Sequence, residues 1–295
     1  MPLPEPAELN LLAARARAHA GLFTLPLRDR NWRGHAGEYA GSGVGSSLDF
    51  QDHRSYVPGD DPRHINWQAY ARSGHYSLKL YREEVRPVVE ILFDVSESMF
   101  AEKEKARRAV ELFYFAVASA GQAGATTSVM LLKGPRWKNV ETTAVLSHAW
   151  TGIASELPPT DASAAPNPGA PPLRPRSLRV LVSDLLFPAS PEPILRALAR
   201  DSGRAIILAP YSAGEASPDW SGNCEFADTE SGMLHQRRVD PGLLRRYTEA
   251  YRDHFSRWKA ASLRNRTPLA RIPSAPRFED AIKLEAIPGG VLLFA

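Results

Sequence analysis

Apolar residues fill three short segments almost without interruption, Val88 to Val95, Leu178 to Asp184 and Ala205 to Ala209. That is the pattern of strands covered on both faces of a sheet. Between them the period lengthens to that of a helix. Glu102 to Gly121 carries Ala106, Val110, Phe113, Val117 and Ala120 on one stripe, with Glu102, Lys103, Lys105 and Arg108 mainly off it. Glu192 to Asp201 reads as a further helix. After Gly124 the residues Ser128 to Leu132 predict a strand, Asn139 to Thr143 a short one, and Leu146 to about Leu157 a helix. Strand and helix alternate, so the middle of the chain predicts a mostly parallel α/β sheet with right-handed crossovers.

The flanks are less regular. Pro6 to Ala20 places Leu9, Leu12, Ala13 and Ala16 at helical steps and predicts a helical docking arm. From Thr24 to Ser77 the chain is rich in Gly, Ser, Asp and Arg, which predicts short strands and turns held by polar side chains. Ser77 to Glu84 alternates as a half-buried strand does. Ten prolines fall between Pro158 and Pro193, so Pro159 to Arg176 is expected to be a loop. Cys224 to Asp228 and Gly232 to Arg237 suggest an edge hairpin. The last long helix, Pro241 to Ala261, repeats Leu244, Tyr247, Tyr251, Phe255 and Trp258 along one face. No repeat of solenoid length is present.

Composition narrows the function classes. The chain has 295 residues, 43% of them hydrophobic and 23% charged, which suits a packed globular protein and excludes disorder throughout. Lys and Arg number 36 against 33 Asp and Glu, a net charge of +3 that is too small for a dedicated nucleic-acid binder. The basic cluster Arg237, Arg238, Arg245, Arg246, Arg252, Arg257, Lys259, Arg264 and Arg266 reads first as a solvated helix face. The single cysteine, Cys224, allows no internal disulfide and fits a reducing compartment. Met1 to Ala20 has no apolar core of secretory type, and no apolar run reaches the roughly 20 residues of a membrane span. A soluble, cytoplasmic protein is therefore expected, with peripheral membrane association left open.

Chemistry concentrates where the first apolar strand ends, at Asp94-Val95-Ser96-Glu97-Ser98. Open parallel sheets bind ligands beyond the carboxyl ends of their strands, and a turn there aims one carboxylate and two hydroxyls at a common point. Such hard oxygen donors suit Mg²⁺ or Mn²⁺. The plainer alternative is that Asp94 and Ser96 cap the following helix. With the apolar strand that precedes it, the segment resembles the metal-ion-dependent adhesion site of von Willebrand factor A domains. The resemblance implies a metal held by Asp94, Ser96 and Ser98, with Asp184 as a second carboxylate acting through water. It also implies a loop threonine, for which Thr160 is the candidate and Asp161 a substitute. Glu97 is expected to point outward, placed to close the metal's open position.

A longer signature lies upstream: Asp49-Phe50, Arg54 to Trp67 with Pro58-Gly59-Asp60-Asp61 at its centre, Ala71-Arg72-Ser73-Gly74, then Lys79 and Glu83-Glu84. With the Asp-Ser-Ser motif that follows, it resembles the bacterial domain of unknown function 58 family, whose members carry a von Willebrand A-like domain. That resemblance implies an α/β fold with a von Willebrand A-like, mostly parallel central sheet flanked by helices and an N-terminal β-rich elaboration. It also implies adaptor or chaperone work beside a MoxR-type AAA+ ATPase and a client protein, with no catalysis. The divisions expected are 1–23 for the arm, 24–85 for the elaboration and 86–295 for the von Willebrand A-like domain. Pro58 to Asp61 reads as a turn, with Arg54, Arg63 and Arg72 placed to pair with Asp49, Asp60, Asp61 or Glu84. The block then serves either as a buried polar staple or, with Trp67, as a partner surface. His64 reads as a structural residue beside Asp61, and Trp67 and Tyr70 as core. The competing reading is a metal-dependent hydrolase or phosphatase using Asp94 with Asp60, Asp61 or His64 as base.

Overall fold

The computed structural model describes residues 3–27, 50–81, 86–158, 165–229 and 232–295. The chain forms two compact units, one of Met1–Pro26 with Pro87–Ala295 and the other of Leu27–Arg86.

Six strands build the central sheet of the larger unit: β1 (Val88–Asp94), β2 (Thr126–Lys133), β3 (Arg136–Val140), β4 (Leu178–Val182), β5 (Arg204–Tyr211) and β6 (Leu269–Pro273). Their order across the sheet is β3-β2-β1-β4-β5-β6, and only β3 runs antiparallel. This is the doubly wound order, whose direction of winding reverses between β1 and β4. Continuous apolar sequence is explained by two-sided cover. Phe93 on β1 stacks on Phe113 with ring centroids 4.4 Å apart, whereas Leu92 packs with Leu181, Ile207, Phe255 and Trp258. The mostly parallel sheet flanked by helices follows the sequence expectation.

The helices are α1 (Pro6–Ala20), α2 (Lys103–Gln122), α3 (Pro191–Ala199), α4 (Pro241–Arg264) and α5 (Phe278–Glu285). α1 buries Leu9, Leu12, Ala16 and Ala20. α2 is buried on nearly every side, and this corrects the reading of Lys105 and Arg108 as lying off its buried stripe: they are 1% and 4% exposed. The reason is that α2 has a layer on either side, the sheet on one and α1 on the other. The helix expected over Leu146 to Leu157 is confined to Trp150–Ser155, and the strand expected over Asn139 to Thr143 lies earlier, at Arg136–Val140, with a short helix, Thr142–Leu146, after it. Between the two short helices His148 takes φ 63° and its ring bonds Tyr114 Oη at 2.6 Å. β6 and α5 were not anticipated, and the Gly222–Ala227/Leu234–Val239 hairpin stands as its own two-stranded sheet.

At the amino ends of β1 and β4 a second buried polar feature pins the sheet. Glu90 and Arg179, directly opposite in register, are 1% and 0% exposed. Glu90 accepts from Ser177 Oγ at 2.6 Å and from the Arg174 N–H at 2.8 Å, while Arg179 donates to the carbonyls of Ala197 and Leu198.

In the smaller unit, Phe50–Ser55 and Ser77–Tyr81 form an antiparallel pair. A short helix, Trp67–Ser73, starts at Asn66, whose Oδ1 accepts from the Ala69 N–H at 3.2 Å. It stops at Gly74, whose φ of 70° is the left-handed geometry that glycine adopts most readily.

Candidate functional site

Asp94 ends β1, and Ser183-Asp184 follow β4, so the residues singled out in the sequence meet at the switch point of the doubly wound sheet. Ligands collect at this position because strand ends diverge there and leave a crevice. Asp94 is 1% exposed. Its Oδ1 accepts from the Ser96 N–H at 3.1 Å and its Oδ2 from Ser183 Oγ at 2.7 Å. Both partners are neutral, and among the described residues no cation pairs with it. Burial first, and then the charge of Asp184, push the Asp94 carboxyl up to about 6.

The two serines are brought together, with Ser96 Oγ and Ser98 Oγ 3.1 Å apart. Helix capping does not occupy Ser96: it precedes the single turn Glu97–Phe100 with no side-chain cap bond, and α2 begins later, after Glu102. Glu97 departs from expectation. Instead of pointing outward it is half-buried and bonds the ammonium of Lys133, itself 4% exposed at the end of β2.

Asp184 is arranged differently. It is 2% exposed and accepts from Lys105 Nζ at 3.0 Å, and the same ammonium bonds Glu215. Burial opposes the Lys105 charge, but Asp184 and Glu215 outweigh it and hold the ammonium above its ordinary range. Glu215 lies on the short helix Ala213–Ala216, in a capping box with Ser212, and its carbonyl accepts from Tyr247 Oη of α4 at 2.9 Å. The residue after Asp184, Leu185, has φ 61°, a left-handed conformation costing a bulky L-residue on the order of 1–3 kcal/mol. It is held by its own complete burial and by His254 Nε2 bonding its carbonyl at 2.8 Å.

The donor chemistry fits a hard divalent cation at Asp94, Ser96 and Ser98: one carboxylate with neutral partners and two hydroxyls, of which that of Ser96 makes no cap bond. Asp184 is already engaged by Lys105. Among the described residues no three His, Cys, Asp or Glu side chains converge as a metal cluster, so the hydroxyls are essential to any such site. Thr160 and Asp161 lie outside the described residues, as do Asp49 and Glu84.

The Asp60-Asp61 block lies in the smaller unit. Arg54 donates to Asp60 Oδ1 at 2.8 Å and the Val57 N–H to its Oδ2 at 2.9 Å, closing the turn. Arg63 engages both oxygens of Asp61, holding that carboxyl down to about 2. His64 Nε2 is 4.0 Å from Asp61. Arg72 is exposed on the Trp67–Ser73 helix. Trp67 is 58% exposed, which corrects its reading as core. Trp67 meets Tyr70 and Tyr76 edge-on, and those two tyrosines stack at 4.3 Å. The basic face of α4 is partly neutralised, by Arg264 with Glu192 and Lys259 with Glu285.

Lys105, Ser183 and Glu215 escaped sequence reasoning. Ser183 stood beside a predicted site residue, which was its one signal. Lys105 read as an ordinary surface lysine, and Glu215 is brought in from a separate loop.

Fold and site together define a doubly wound α/β protein with an oxygen-rich cluster of side chains at its switch point. The chain belongs to the family described as protein of unknown function DUF58, whose model matches residues 52–257. Two solved structures are similar to it. One is an aerotolerance-related membrane protein from Bacteroides fragilis NCTC 9343, carrying multiple mutations to serines (14% identity, TM-score 0.30, 61% of this chain and 98% of that one). The other is the conserved hypothetical protein BatB from Bacteroides thetaiotaomicron (12% identity, TM-score 0.33, 69% and 98%). No curated protein matches the chain. Among the described residues no helix is long and apolar enough to cross a membrane.

Proposed function

We propose that this protein is a metal-dependent binding adaptor, working in the cytoplasm with a MoxR-type AAA+ ATPase on a client protein during maturation or complex assembly. The observation that carries the reading is Asp94: a fully buried carboxylate, neutral partners on both oxygens, beside two hydroxyls at the switch point. Asp94, Ser96 and Ser98 would hold Mg²⁺ or Mn²⁺. Once bound, that ion offers an open coordination position to a carboxylate of another protein. The chain's own contribution is to keep the donors preorganised. Ser183 and the Ser96 N–H fix the Asp94 carboxylate, and the Lys133–Glu97 pair anchors the loop between the serines.

Binding is favoured over hydrolysis by the state of two of the three candidate bases. Asp60 and Asp61 are engaged by Arg54 and Arg63, which hold both carboxyls below the ordinary range and make them weak proton acceptors. The test is capture of the ATPase and of client proteins by immobilised protein, with Mg²⁺ and with chelator, in wild type and Asp94→Ala. Capture lost with chelator and with Asp94→Ala, without turnover of phosphoesters or peptides, is the expected result. Capture indifferent to both would refute the metal-dependent adaptor.

A further inference from the structure

A lysine buried at the mouth of a cation site needs a reason. Lys105 sits in the first turn of α2 and is 1% exposed, yet its ammonium reaches two carboxylates from different loops, Asp184 and Glu215. Taking an ammonium out of water is costly, and here two acids from different loops offset that cost. Asp184 lies beside Asp94, because the residue before it, Ser183, donates to Asp94 Oδ2 at 2.7 Å. The Lys105 ammonium, 3.0 Å from Asp184, therefore occupies the carboxylate next to the one that Ser183 fixes.

We propose that Lys105 is the resident cation of this site: it holds Asp184 away from an incoming metal and so weakens metal uptake at Asp94, Ser96 and Ser98. The proposal rests on the reading of those three residues as metal ligands. It makes Lys105 a positioning residue, tying the site through Glu215 and Tyr247 to α4.

Mn²⁺ uptake by the full chain, followed by the electron paramagnetic resonance signal of free Mn²⁺, tests it. Lys105→Met is expected to bind Mn²⁺ about tenfold more tightly or better, because one repelling charge is gone and one carboxylate is released. Lys105→Arg keeps the charge and should stay near wild type. Asp184→Asn alone should change affinity by less than about twofold, yet in the Lys105→Met background it should abolish the gain. Where Lys105→Met fails to fold, Lys105→Met with Glu215→Gln removes one of the two acids left unpaired and should show the same gain. Equal or weaker Mn²⁺ binding without Lys105, or a tenfold loss from Asp184→Asn alone, about 1.4 kcal/mol, overturns the proposal while leaving the metal site standing. No Mn²⁺ uptake by wild type or any variant overturns the metal site itself, and this inference with it.

Discussion

Asp94 is buried to 1% exposure beside a second carboxylate, and both circumstances favour its protonated form. A carboxyl whose pKa rises from 3.8 to about 6 on folding gains protons as the chain folds. Its cost is absent below the unfolded value, grows through that window and is complete above about pH 6. In chelator, Asp94→Asn should therefore stabilise the protein by about 3 kcal/mol near pH 8 and by little near pH 4. Denaturant unfolding at the two pH values measures the difference, and an equal effect at both would refute the account of this residue. Asp60 sits in the opposite situation, held ionised by Arg54 and the Val57 N–H. Asp60→Ala should abolish the hydrogen-exchange protection of the Val57 amide, and retained protection would show that the turn closes without it. The Asp94-Ser96-Ser98 spacing was legible because all three lie on one local turn. Lys105 and Glu215 were not, because they stand 110 positions apart in the chain.

The elements most legible in the sequence were those whose period runs long. α4 shows this, with Tyr251, Phe255 and Trp258 buried as their spacing predicts. β6 has only Ala270 and Ile272 to bury and ends at Pro273, too short a pattern to separate from a loop. The break at His148 was hidden for a different reason: its ring is held by Tyr114 and Asn10, partners distant in sequence. At the amino ends of β1 and β4, Glu90 and Arg179 form a pair with additional hydrogen bonds to Ser177 and backbone groups. Removing one partner strands the other charge in the core. Arg179→Ala should cost about 3–5 kcal/mol in denaturant unfolding, and replacing both Glu90 and Arg179 with apolar residues of similar size should cost much less. Equal losses would show that the pair itself, and not the orphaned charge, stabilises the sheet.

At the scale of the molecule, the alternation of strands and helices was enough to give the layered α/β architecture. The DUF58 match spans parts of both units. A net charge of +3, with Glu192 and Glu285 answering two members of the basic face, predicts weak duplex DNA binding. Fluorescence anisotropy across salt concentrations checks this, and a log–log slope near −5, equivalent to about six phosphate contacts, would contradict it. On the proposed function, a hard divalent cation binds where β1 and β4 part. Isothermal titration of the chelator-stripped protein with Mg²⁺ and Mn²⁺, in wild type and Asp94→Ala, tests it most directly. Saturable uptake of about one ion, lost in Asp94→Ala, is the result the donor set predicts; no uptake at millimolar metal, or uptake that survives the substitution, would contradict it.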